Sequence, residues 1–232
     1  VTNLFLGLGS IAAAVQGHFP VAGVCLLLAV VVDGLDGRIA RSLGVATDFG
    51  KELDSLADVV TFGTAPMVVA MLWGLRDLPR LGWVVPSVYV AATAARLARF
   101  NVQVGTVDSR YFVGLPCPAA AGAVATFFLV LPDPEQLPFS RQLLIALTAT
   151  LAFLMVSTFR YWSFKRLESQ PRRSFRVVLP IAAGFAVLAF WPELFLPLGA
   201  TVYLASGPIL SLWNRLRKRP ESAAEFLPKG SP

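Results

Sequence analysis

Apolar runs separated by short polar connections extend from residue 2 to residue 214. Eight of them are candidate helices, roughly 2–16, 20–37, 50–74, 82–101, 113–131, 141–160, 177–192 and 194–214. Most come close to the roughly 20 residues that an α-helix needs to cross the hydrocarbon of a bilayer. The connections are GHFP, LRDLPRLG, the stretch from Arg99 to Arg110, LPDPEQLPFS and the basic KRLESQPRRSFR. This pattern predicts an all-α polytopic membrane protein. The basic stretch separates six segments from two more and is the one plausible boundary. It divides the chain into a six-helix core at 1–165, a basic cytoplasmic linker at 166–176, an additional C-terminal transmembrane helix pair at 177–214 and a tail at 215–232 that is basic and then polar. The first run is short and begins at Val1 without an initiator Met, so a native N-terminal stretch is expected to precede it.

Composition agrees with the pattern. The 232 residues are 56% hydrophobic and 15% charged, with a mean hydropathy of +0.66, more apolar than a soluble domain of this size requires. Charge then sets an orientation. With the loop after the second segment in the cytoplasm, all of the Lys and Arg residues except Arg76, Arg80 and Arg141 fall on the inner side. The formal charge of +6 therefore reads as topology and attraction to anionic lipid, not as nucleic-acid binding. Cys25 and Cys117 lie in apolar segments with no CxxC or Cys/His cluster, and the single histidine, His18, sits in a short external loop. Zinc chemistry and histidine acid–base catalysis are poorly supported. The Trp residues near segment ends, Trp73, Trp83, Trp162 and Trp213, read as interfacial anchors.

Against this background Asp33, Asp36, Asp54 and Asp58 stand out, because they lie where apolar segments meet water. Asp33 and Asp36 are spaced i, i+3 and Asp54 and Asp58 i, i+4, so on helices each pair projects from one face. Four carboxylates beside a low-dielectric phase repel one another unless cations join them. Two divalent cations would balance the charge, and oxygen-only ligands suit the hard ions Mg²⁺ or Mn²⁺. Two metals held by carboxylates fit in-line displacement at phosphorus. Gly37 and Ala40 extend the first stripe, Arg41 adds a cation suited to a phosphate, and Gly50 begins the second stripe. Asp48, Lys51 and Glu52 read as solvated charges of a helix end.

Residues 33–58 fit without a gap the signature D-x2-D-G-x2-A-R-x8-G-x3-D-x3-D, and on it the chain resembles the CDP-alcohol phosphotransferase family. The match uses Asp33, Asp36, Gly37, Ala40, Arg41, Gly50, Asp54 and Asp58. The resemblance implies a six-helix membrane core, usually a homodimer, with a polar cavity at the cytoplasmic side. It further implies two divalent metals on the four aspartates, with Gly37, Ala40, Arg41 and Gly50 lining the CDP site. The segments GKELDSLADVVTFGTAP, ARLARFNV, FVGLPCPAAAG and FLMVSTFRYWSFK, with NLFLG at residues 3–7, are similar to phosphatidylserine synthases of the Bacillus type. That branch implies transfer of the phosphatidyl group from CDP-diacylglycerol to L-serine, with release of CMP and with Asp58 as the base that takes the hydroxyl proton.

Serine carries a carboxylate that choline and ethanolamine lack, so a serine enzyme needs a further cation near the acceptor. Arg96, Arg99, Arg110 and Lys165 lie near the cytoplasmic ends of the fourth to sixth segments, and at least one of Arg96, Arg99 and Lys165 is expected to bind the serine carboxylate. Snorkelling to lipid phosphates is the competing reading for each. Asn3, Thr61 and Ser163 are weaker candidates for polar contacts in the cavity. Gly114, Pro116 and Pro118 shape the start of the fifth segment. Three alternatives stay open: another acceptor such as glycerol 3-phosphate or inositol phosphate, an ether-lipid donor, and a divalent-cation transporter with the aspartates in its pathway. A purely structural scaffold would leave the eight-position motif unexplained.

Overall fold

The first two apolar runs form α1 (Thr2–Val15) and α2 (Phe19–Leu43). In this computed structural model residues 2–43, 47–103, 111–162 and 192–217 are described. The α1–α2 turn is built on Gly17, whose φ of +79° is a left-handed conformation. The Gly17 N–H bonds the carbonyl of Ala14 and the His18 N–H that of Ala13, which closes α1 in a Schellman motif. Past its apolar run, α2 continues through Asp33 and Asp36.

The third run is one rod in three pieces: α3 (Asp48–Asp58), a π-helical turn (Val59–Thr64) and α4 (Ala65–Trp73). Thr47 starts it, its Oγ1 accepting the Gly50 N–H at 3.1 Å. The fourth run is α5 (Leu81–Gln103). The fifth and sixth are shorter than the apolar pattern suggests, giving α6 (Cys117–Val130) and α7 (Ser140–Val156). The residues trimmed from them form an antiparallel pair, β1 (Tyr111–Val113) with β2 (Arg160–Trp162), in the register Phe112↔Tyr161. The cause is local. Gly114 has φ +79° and donates to the Phe159 carbonyl at 2.8 Å, and a side chain there would collide with the Met155 carbonyl oxygen. Pro116 then takes the N-cap of α6, since prolines are accepted at a helix start and not in its interior.

The eighth run is α8 (Pro192–Arg217). The seventh, 177–192, lies outside the described residues except at its last position. One face of α8 lies on α6 and β2, where Ala200, Tyr203 and Leu204 join the core and the Tyr161 hydroxyl donates to the Leu204 carbonyl at 3.3 Å. Gly207 rides directly on the Tyr161 ring, with no room for a Cβ.

Close helix contacts are made through small residues, as in membrane bundles. A Cβ on Gly7 of α1 would lie 3.0 Å from the Thr61 Cα, and one on Gly23 of α2 would lie 2.8 Å from the Ala125 carbonyl oxygen of α6. The core holds Phe62, Trp73, Tyr89 and Phe128. Trp73 is a correction to the expected interfacial ring: it is buried, and its Nε1 donates to the carbonyls of Leu131 and Pro132 at 3.0 and 3.1 Å. Trp83, by contrast, is exposed. The outer surface carries many large apolar side chains, among them Phe5, Leu28, Val31, Val88 and Phe153, as lipid contact requires. Among the described residues, Phe19–Asp36, Phe49–Trp73 and Leu81–Val102 are long and apolar enough to cross a bilayer. The protein is membrane-embedded.

Candidate active site

Three helices converge on one carboxylate cluster. α2 supplies Asp33, α3 supplies Asp54 and Asp58, and carboxylate oxygens of the three lie within 4.8 Å of one another. Helical spacing accounts for the pair on α3, and the turn between α2 and α3 brings that pair against Asp33. Asp33 and Asp58 are half-buried and Asp54 is exposed, so the cluster opens to solvent on one side. Asp36, also half-buried, is one turn further along α2 and outside this closest group. From α1, Asn3 reaches in: its Nδ2 donates to Asp33 Oδ1 at 3.2 Å and to Asp58 Oδ1 at 2.9 Å. Three carboxylates this close are strongly repulsive without a counter-charge. An all-oxygen set of this kind can hold a divalent cation.

The sequence pattern of the family described as CDP-alcohol phosphatidyltransferase matches residues 1–158. The chain belongs to this family. Among its relatives, the CDP-diacylglycerol–serine O-phosphatidyltransferase of Helicobacter pylori is 38% identical over 168 residues, which are 72% of this chain and 71% of that protein. The enzyme of the same name from Bacillus subtilis is 30% identical over 176 residues, 76% of this chain and 94% of that protein. The archaetidylserine synthase of Methanothermobacter thermautotrophicus is 37% identical over 129 residues, 55% of this chain and 54% of that protein.

For the CDP-alcohol phosphatidyltransferase motif, the structure places Gly37, Ala40 and Arg41 on α2, one to two turns beyond Asp33, and leaves their side chains outside the described set. Gly50 is exposed in the first turn of α3, its N–H taken by the Thr47 cap. Asn101 of α5 donates to Ser55 Oγ at 3.0 Å and ties the end of α5 to α3.

The two arginines of α5 have different fates. Arg99 Nη1 donates to the carbonyls of Val156 at 2.9 Å and Ser157 at 3.4 Å, which caps the C-terminus of α7 where cations are favoured. Arg96 is buried, with 6% of its surface exposed. Its Nη1 reaches only the Cys117 thiol, at 3.6 Å, and its Nε has no hydrogen-bond partner among the described residues. Cys117 feels the charges of both Arg96 and Asp58, so this buried cation borders the aspartate cluster. Lys165, Arg110 and Ser163 lie outside the described residues. Thr61 is fully buried and its Oγ1 is unpartnered, against the expected bond to its own backbone.

Asn3 was the weakest of the sequence candidates and is the most directly engaged with the cluster. Its signal was one amide side chain in an otherwise apolar first turn. The Thr47 cap was also readable, as a threonine immediately before the second acidic stripe.

Proposed function

We propose that the chain transfers the phosphatidyl group of CDP-diacylglycerol to L-serine, giving phosphatidylserine and CMP. The observation that carries the reading is the convergence of Asp33, Asp54 and Asp58 within 4.8 Å, in a chain whose relatives bear the name of that activity. Buried Arg96 supports serine as the acceptor. A guanidinium taken from water without an anion is costly, and an entering carboxylate would supply the missing partner.

The donor set fits hard divalent cations, Mg²⁺ or Mn²⁺, with Asp33, Asp36, Asp54 and Asp58 as ligands of two. When bound, these would neutralise the diphosphate and the charge that develops on departing CMP. The chain's own groups do the rest. Gly37, Ala40, Arg41 and Gly50 line the CDP site, the small residues allowing close approach and Arg41 meeting a phosphate. Arg96 orients serine by its carboxylate. Asp58, half-buried at the membrane edge, takes the serine hydroxyl proton as the oxygen attacks the lipid-side phosphorus in line. Arg99 leaves this role to Arg96, because the end of α7 already occupies it.

The architecture proposed around this site is a six-helix core at 1–165, a basic linker at 166–176, an added helix pair at 177–214 and a tail at 215–232. The site faces the cytoplasm in a homodimer. The test is CMP release by purified protein in detergent, with CDP-diacylglycerol and Mn²⁺ or Mg²⁺. Release driven by serine alone and lost in Asp54→Asn supports the proposal, and an increased serine KM in Arg96→Gln at retained donor binding assigns the carboxylate contact. Release with glycerol 3-phosphate or inositol phosphate instead would overturn the acceptor and keep the reaction. Metal binding without release for any acceptor would favour cation transport.

A further inference from the structure

Asn3 is the one neutral side chain that bridges two carboxylates of the cluster. It belongs to α1, whereas Asp33 belongs to α2 and Asp58 to α3, so its amide joins three elements at one point. Only 1% of its surface is exposed, and its Oδ1 is buried without a hydrogen-bond partner among the described residues. Burying an amide with one half unsatisfied is costly, about 1–3 kcal/mol. An apolar residue would fill the same space in α1 without that penalty. The opposite flip of the amide would set Oδ1 against two carboxylate oxygens, so the donor side must face them. Both N–H bonds of Nδ2 are then spent on the acids. Their effect opposes the mutual repulsion of Asp33, Asp54 and Asp58, which would otherwise spread the carboxylates apart.

We infer that Asn3 is a positioning residue for divalent-cation binding, holding the carboxylates of Asp33 and Asp58 at ligand spacing from the first helix. The inference rests on the metal-dependent reading of the site. It does not depend on which alcohol accepts the phosphatidyl group. Small residues hold the backbone of α1 in the required place: Gly7, one helical turn further along α1, lies against Thr61 of the π-helical turn that follows Asp58. Any change that moves α1 relative to this turn is transmitted to the acids through one amide.

The test is direct Mn²⁺ binding to the purified protein, by titration calorimetry or by the loss of the free Mn²⁺ electron-spin signal. Asn3→Leu keeps the volume and removes both donors. Groups that orient metal ligands are typically worth 10–100-fold in metal affinity. The expected result is Mn²⁺ affinity weaker by about tenfold or more. The Mn²⁺ concentration for half-maximal CMP release should rise in parallel, while kcat at saturating Mn²⁺ is retained. Asn3→Ser, too short to span both acids, should behave alike, and Asn3→Gln, which keeps the amide, should recover part of the affinity. The thermal midpoint in metal-free buffer monitors folding. Wild-type Mn²⁺ affinity in folded Asn3→Leu or Asn3→Ser would overturn the inference, as would failure of both variants to fold or absence of Mn²⁺ binding to the wild type. Wild-type protein that binds Mn²⁺ without releasing CMP would sink the proposed reaction alone, and the Asn3 comparison would still decide the role of this residue.

Discussion

Asp58→Asn preserves shape and the ability to accept from Asn3, and it removes the basic oxygen. Turnover should fall by at least about a hundredfold, the usual scale of a general base. Binding of CDP-diacylglycerol should largely survive. Paired measurement of CMP release and donor affinity checks this, and near-normal turnover would remove Asp58 from the role of base. Trp73→Phe makes a separate point at the other end of the same rod. It keeps the edge-on packing with Phe127, whose ring centroid is 5.2 Å away, and deletes the donor shared by Leu131 and Pro132. A loss of about 1–2 kcal/mol is expected. It should appear as a lower thermal midpoint in detergent with unchanged Mn²⁺ affinity.

Among the elements, α8 offers a test in which two like substitutions should differ in sign. Gly207 and Gly199 both sit inside this helix, but a Cβ at Gly207 meets the ring of Tyr161 whereas one at Gly199 meets nothing within 4 Å. Gly199→Ala should raise the thermal midpoint, since Ala is favoured over Gly in a helix by up to about 1 kcal/mol. Gly207→Ala should lower it, because Tyr161 is fully buried and has no space to retreat into, and overpacking costs about 1–3 kcal/mol. Equal shifts would remove the Tyr161 contact as the anchor of α8. Much of this element plan was legible in the sequence. The apolar runs marked the helices, and i, i+3 and i, i+4 spacing paired the aspartates, because helical periodicity fixes which side chains share a face. What it could not convey was partnership across the bundle. Trp73 looked like an interfacial ring because only the fold reveals the carbonyls waiting at Leu131 and Pro132. Arg96 and Arg99 share a helix face, yet one ends unpaired and the other caps α7, a distinction made by β1 and β2. That strand pair was hidden because three-residue strands leave too little alternation to read.

At the scale of the molecule, the positive-inside pattern separates two ends. Arg76, Asp77 and Arg141 gather at one of them, with Arg141 Nη2 3.2 Å from Asp77 Oδ2. The aspartate cluster lies at the other end of the rod, roughly 20 Å away at the rise of a helix. The expected orientation puts the acids inside. In cells, Arg80→Cys should react with a membrane-impermeant maleimide added outside, and Glu52→Cys only after the membrane is opened or inverted. The reverse pattern would place the site on the outer face and deny it cytosolic serine.

The six residues of the π-helical turn, Val59–Thr64, give this rod a fixed phase. A π turn amounts to one residue more than an α-helix would use over the same stretch. Deleting any one residue from it would let an ordinary helix form, and everything beyond would rotate by about 100° about the axis. Either Asp58 would swing away from Asn3, or Trp73 would lose the carbonyls that receive it. The two ends of the rod are thus geared together, and the chain tolerates substitution in this turn far more readily than any change in its length.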